Sequence, residues 1–232
     1  LDTTFGIEVG LPKILSLLER YKIESTFFVT GEVAELFPDV VREIAKRHEV
    51  SSHGYRHETF DRMTIHKKDR IKRSKEVLEK TTNQRVTGFR APRFLVSREL
   101  YDALVELGFK YDSSITCFRP QHFMMKTNFL EFRVQLPSAL LNFPIGLQAF
   151  KAVCKVSAFP VIFFHCWEAV DVRSLLNSAN IDSALAKRYL RPDIWINTGK
   201  VFLERLSILV KYLLDYGFRF TTLRDVAARQ TL

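Results

Sequence analysis

Two imidazoles four residues apart, His53 and His57 in the run Ser52-His53-Gly54-Tyr55-Arg56-His57, are the first residues whose type and spacing suggest chemistry. On one helical turn such a pair points the same way, and both rings can reach a single ion at about 2.0–2.1 Å. A carboxylate as third ligand, with positions left for water and substrate, would make such a site catalytic rather than structural. The same spacing suits a hydrogen-bonded pair on a partly buried turn, so alone it decides nothing. Three further polar groups stand at the ends of apolar runs: Arg90 after 85–89, Asp112 closing 109–112, and His165 after 161–164. Each has a bland reading beside the chemical one. Arg90 could form an ion pair on a surface turn, Asp112 could cap a turn, and His165 could be a hydrogen-bonded core histidine.

The elements that must position these groups alternate between two periods. Helical spacing of apolar residues marks 11–21, 38–47, 67–80, 97–107 and 201–216; short β-branched or aromatic runs mark 25–30, 49–52, 85–89, 109–112, 161–164 and 218–221. Ser97 is the expected N-cap of its helix, and Gly108 and Gly217 are expected to close theirs. Residues 116–159, broken by Pro120, Pro137 and Pro144, are expected to form irregular loops and short strands. Strands alternating with helices imply an α/β fold on a parallel sheet or barrel, with functional side chains at the carboxyl ends of strands. The polar groups singled out above stand there. Neither a repeat nor a low-complexity linker interrupts the 232 residues, and one domain over 1–232 is the expected organisation.

The totals exclude some classes. With 47% hydrophobic residues, this is the composition of a globular chain, and no apolar run reaches the roughly 18 residues a membrane span needs. The formal charge is +9, yet the densest basic run, 66–73, reads as the outer face of a helix. It has no interleaved aromatics, so no nucleic-acid partner is expected. Cys117, Cys154 and Cys166 have neither metal-knuckle nor disulfide-framework spacing. They read as buried thiols, which with no visible signal peptide favours a cytoplasmic location.

Over nearly its whole length the sequence resembles the polysaccharide deacetylases, the NodB-homology group called carbohydrate esterase family four. The run 48–57 resembles the second motif of that family, Phe89-Arg90-Ala91-Pro92-Arg93 the third, Tyr111-Asp112-Ser113-Ser114 the fourth, and Phe163-Phe164-His165-Cys166-Trp167-Glu168 the fifth, in the expected order. The resemblance implies a distorted (β/α)7 barrel holding one divalent ion, with zinc expected and cobalt or another divalent ion able to serve. It implies Asp2, His53 and His57 as ligands and the backbone amide of Arg93 as an oxyanion donor. His165 would be the general acid, Asp112 its orienting partner, and Arg90 the partner of the catalytic base. In the Asp-x-Asp branch Asp2 matches the second aspartate, so the base is expected two residues before it, outside this sequence, together with a first strand. Trp167 and Tyr55 could line a sugar site or pack in the core.

The implied activity is removal of an N-acetyl group from an amino sugar of a glycan or glycoconjugate. Alternatives on the same site are a sugar-lipid deformylase, which the opening Asp2-Thr3-Thr4-Phe5-Gly6 with Gly10-Leu11-Pro12 resembles, or a cyclic imide or ureide hydrolase. A non-catalytic glycan- or metal-binding module is the reading from a different class. Segments 116–159 and 171–197 are expected to shape the substrate groove.

Overall fold

A computed structural model describes residues 4–117, 129–174 and 196–230. The chain divides into two compact units, one formed by Glu24–Val134 with Phe220–Leu232 and the other by Leu1–Ile23 with Gln135–Arg219.

The first unit is built on a parallel sheet. Its strands are β1 (Thr26–Val29), β2 (Glu49–Ser52), β3 (Gly88–Phe89), β4 (Tyr111–Asp112) and β5 (Leu130–Glu131), and each pairs with the next in chain order. β1 and β2 run in register from Thr26 against Glu49 to Val29 against Ser52. Parallel neighbours need crossovers, and helices supply most of them. In the second unit lie α1 (Leu11–Arg20), α6 (Pro144–Val156) and α7 (Lys200–Asp215). The first unit carries α2 (Gly31–Leu36) and α3 (Pro38–Ala45) between β1 and β2, α4 (Ile65–Thr82) between β2 and β3, α5 (Arg98–Glu106) between β3 and β4, and α8 (Leu223–Gln230) at the end.

The helical periods expected from the sequence are the ones that form. On α4, Ile71, Ser74 and Leu78 are buried, and Thr64 caps the amino end by accepting the Lys67 N–H. Its outer cations are largely paired: Lys68 with Glu106, Arg73 with Glu35 and Lys75 with Glu79. Ser97 takes the N-cap position of α5, and Gly108, at φ +77°, follows its end in the left-handed conformation that glycine accepts without strain. Leu100, Leu104, Phe89 and Phe60 fill the space beneath.

In the second unit a π-helical turn, Gly6–Gly10, leads into α1, and 3-10 turns at Ser138–Asn142 and Cys166–Ala169 flank α6 and α7. A Cβ at Gly10 would stand 2.0 Å from the carbonyl oxygen of Cys166, so only glycine permits this close approach. Ile14, Leu141, Phe150, Phe202, Leu206 and Leu209 form the core of this unit.

Several expectations about elements need correcting. In 116–159, residues 118–128 lie outside the described ones. The rest contains the 13-residue α6 as well as loops and a short strand. Pro144 sits at the first helical position, where its missing N–H costs nothing; it starts a helix rather than breaking one. Residues 161–164 join no strand ladder, because the side-chain oxygen of Gln135 takes the Val161 N–H at 2.7 Å. Residues 218–221 form no strand either: the Phe218 N–H closes α7 on Leu213 O at 2.9 Å.

Candidate active site

Just beyond the strands, backbone hydrogen bonds carry the parallel ladder outward. His53 N–H donates to Val29 O at 2.9 Å, Arg90 N–H to Ser52 O at 3.0 Å, and Ser113 N–H to Phe89 O at 2.9 Å. These bonds set His53, Arg90 and Ser113 along one carboxyl rim, the place where parallel α/β sheets present reactive groups.

The imidazoles of His53 and His57 come together there, their ring centroids 5.1 Å apart in an edge-to-face arrangement. The helical turn expected for this pair is not formed. Gly54 at φ +76° and His57 at φ +61° curl the segment as an irregular loop. Left-handed backbone is uncommon for residues other than glycine, even for histidine, which enters it more readily than most, and such positions cluster in functional loops. His53 Nδ1 lies 2.7 Å from the carbonyl oxygen of Arg90. A carbonyl can only accept, so the neutral ring carries its proton on Nδ1 and its lone pair on Nε2. Metal-ligating histidines are held in this way. The two imidazoles therefore fit a divalent ion. Asp2, the expected third ligand, lies outside the described residues, and among those described no third His, Cys, Asp or Glu joins the pair.

Arg90 turns its guanidinium inward. Nε donates to Ser113 O at 2.8 Å, an Nη donates to Ser113 Oγ at 2.6 Å, and the group lies 4.3 Å from the Phe28 ring centroid. Burial pushes its pKa down to about 10, against the pull of Asp112, Tyr111 and Glu131. Arg93 follows Pro92 at φ +58° and Phe94 at φ +57°, so the turn that presents the Arg93 amide is itself strained. The turn is pinned at Ala91, whose N–H donates to Ser114 Oγ at 2.7 Å.

Asp112 is fully buried and accepts from Ser114 N–H at 2.9 Å, Ser114 Oγ at 2.8 Å and Tyr101 Oη at 3.3 Å. Burial raises its pKa, and burial followed by the Asp112 charge raises that of Glu131 further. The two carboxyls are hydrogen-bonded to one another, and burial makes each hold its proton more tightly than an exposed carboxyl would. Sequence reasoning missed Glu131; an isolated glutamate in a poorly patterned segment carries no signal. Tyr55 takes a packing position, 6% exposed, donating its hydroxyl to Glu35 at 2.6 Å with Arg73 4.4 Å from its ring centroid.

In the second unit, His165 and Trp167 stack with centroids 5.6 Å apart and planes 24° apart. Where the resemblance implies Asp112 as the orienting partner, the carboxylate at His165 Nδ1 is that of Glu168, whose Oε2 lies 3.2 Å away and also accepts the His165 backbone N–H at 2.7 Å; Asp112 is bound instead by Ser114 and Tyr101. The sequence names Glu168 only as the end of the run 163–168 and gives it no role, although a histidine three residues before a glutamate is the spacing of a capping box.

Residues 4–111 match the family model described as polysaccharide deacetylase. A peptidoglycan deacetylase of Helicobacter pylori is 31% identical over 147 residues, covering 62% of this chain and 47% of the relative. The chain thus spans about half the length of that curated relative. Among solved structures, a "probable Polysaccharide deacetylase" from Pseudomonas aeruginosa PAO1 superposes with a TM-score of 0.71 at 18% identity, covering 97% of this chain and 73% of that one. An allantoinase superposes with a TM-score of 0.69 at 18% identity, covering 97% and 72%. These likenesses show the fold: α/β on a parallel sheet, of the distorted (β/α)7 type found in NodB-type deacetylases. As the two structures carry different activities in their names, the fold alone does not select a substrate.

Proposed function

We propose, from the match of residues 4–111 to the polysaccharide deacetylase model, that the chain hydrolyses an N-acetyl group from an amino sugar of a glycan or glycoconjugate. The observation that carries this reading is the His53–His57 pair on the carboxyl rim, with His53 Nδ1 bound by the Arg90 carbonyl.

His53, His57 and Asp2 would hold one divalent ion, with zinc expected. Such an ion supplies Lewis-acid polarisation of an amide carbonyl and acidifies water. The proton of the attacking water would pass to a carboxylate base, which the resemblance implies two residues before Asp2, and the groups named next supply the other roles. The Arg93 backbone N–H stabilises the developing oxyanion. His165 protonates the departing amine, since an amide anion does not leave at neutral pH. Trp167, beside His165, offers an aromatic face to a sugar ring. Arg90 and Asp112 support the rim through Ser113 and Ser114.

The test is an assay of metal-reconstituted, full-length protein against N-acetylated glycans, N-formylated amino sugars and cyclic ureides. Metal-dependent acetate release supports the proposal. Formate release alone would make the chain a deformylase, ring opening alone a ureide hydrolase, and tight glycan binding without turnover a binding module.

A further inference from the structure

We propose that Glu168 is a positioning residue for His165, fixing the imidazole with its proton on Nδ1 and leaving Nε2 as the edge that exchanges protons with substrate. The inference rests on the acid role proposed above for His165.

Three observations meet at this residue. Its carboxylate oxygen Oε2 stands 3.2 Å from His165 Nδ1 and 2.7 Å from the His165 backbone nitrogen, so it grips both the main chain and the ring of one residue. The Glu168 side chain is 1% exposed, whereas that of His165 is 51% exposed. The ring therefore has its Nδ1 edge against buried protein and another part open to solvent. Finally, Oε1 of Glu168 is buried without a hydrogen-bond partner among the described residues.

The last point argues against a mere helix cap. A cap needs one acceptor, which a glutamine would supply at no electrostatic cost. A buried carboxylate with an unsatisfied oxygen is expensive unless a positive partner offsets it. The imidazole becomes that partner whenever it is protonated, which is the state a general acid must hold before it acts. An ionised carboxylate only accepts, so Nδ1 keeps its proton throughout. The proton given to the departing amine then comes from Nε2 and is regained there from water. Trp167, stacked on the ring, and Phe163, edge-on with its centroid 5.8 Å away, restrain the rotation that would break this alignment. The surrounding turn is tied down as well: Gly199 N–H donates to Glu168 O at 2.8 Å.

Nitrogen-15 NMR of the imidazole, in substrate-free protein at a pH where the ring is neutral, reads the tautomer directly; a His165→Gln spectrum assigns the signal. We expect the Nδ1–H form in the wild type and a shift toward the Nε2–H form in Glu168→Leu. Glu168→Gln keeps the acceptor for the backbone N–H and guards against a leucine variant that fails to fold. It should lower kcat about 10- to 100-fold, part of what a positioned general acid contributes, with KM within about twofold. An Nε2–H wild type, or full kcat in Glu168→Gln, would overturn the proposal. The tautomer needs no substrate. A wild type inactive on every substrate would therefore count against deacetylation, while the spectrum still decides the role of Glu168.

Discussion

The Nδ1 of His53 lies 2.7 Å from the carbonyl oxygen of Arg90, so the backbone of one motif sets the protonation pattern of another. The two residues follow adjacent strands, β2 and β3, and the Arg90 N–H closes the loop by donating to Ser52 O. Moving the turn at 90–94 would therefore turn the imidazole with it. In the proposed reaction, metal binding by His53 and oxyanion stabilisation at Arg93 would be linked through one short stretch of main chain.

Loss of the His53 ring should remove the ion together with turnover. His53→Ala is expected to weaken zinc binding by at least about 100-fold, more than the 10- to 100-fold typical of losing a supporting partner. Metal content by plasma emission after dialysis, beside circular dichroism for the fold, checks this. A folded variant with a full complement of zinc would remove His53 from the ligand set.

Ser114 is a small residue with a large share of the rim. Its hydroxyl accepts from Ala91 N–H and donates to Asp112, so Ser114→Ala leaves one buried donor unsatisfied and deprives a buried carboxylate of a partner. Urea denaturation should show a loss of about 1–3 kcal/mol. The activity should fall as well, because the strained Arg93 and Phe94 backbone loses its tether. Unchanged stability would mean that water or a rearranged turn satisfies the Ala91 N–H.

How far the sequence revealed all this depends on the range of each signal. The positions of His53, His57 and Arg90 after short runs, and of Asp112 at the end of one, were legible because period and order along a parallel sheet are local properties that survive in the sequence. α4 and α7 were legible for the same reason. The failures share a different cause. Residues 161–164 have strand composition, but a side chain 26 positions away, Gln135, intercepts the Val161 N–H. α6 was hidden by prolines whose role depends on position rather than on presence. Glu131 and Glu168 acquire meaning only through neighbours brought to them by the fold.

The Asp112–Glu131 pair predicts a pH dependence of stability. Both carboxyls are raised by burial, Glu131 by the Asp112 charge as well. A carboxyl whose pKa is higher in the folded chain binds its proton more tightly there. Its contribution is complete below the unfolded value and is lost as pH rises through the folded value. Wild-type stability should therefore decline from mildly acid toward alkaline pH more steeply than that of Glu131→Gln, which keeps the shape without the titrating proton. At pH 8 the variant should melt about 2–4 °C higher, the effect of roughly 1 kcal/mol in a chain of this size, and the gap should close only below about pH 4, under the unfolded glutamate value. Parallel melting curves across this range would show that Glu131 binds its proton no more tightly in the folded chain than in the unfolded one.

His165→Ala separates binding from proton transfer. The imidazole stacks on Trp167 and its side chain is 51% exposed, so its removal leaves a shallow surface gap rather than a buried cavity. Folding stability should change by less than about 0.5 kcal/mol beyond the lost stacking contact. Zinc content should equal that of the wild type, since the expected ligands are His53, His57 and Asp2. Turnover of an N-acetylated glycan should fall about 100- to 10,000-fold, the range associated with a positioned acid or base. A substrate whose leaving group needs no protonation should recover much of that loss, because the missing proton is then no longer required. If the poor and the activated leaving groups suffer equally, His165 serves in binding or folding instead, and another group must protonate the amine.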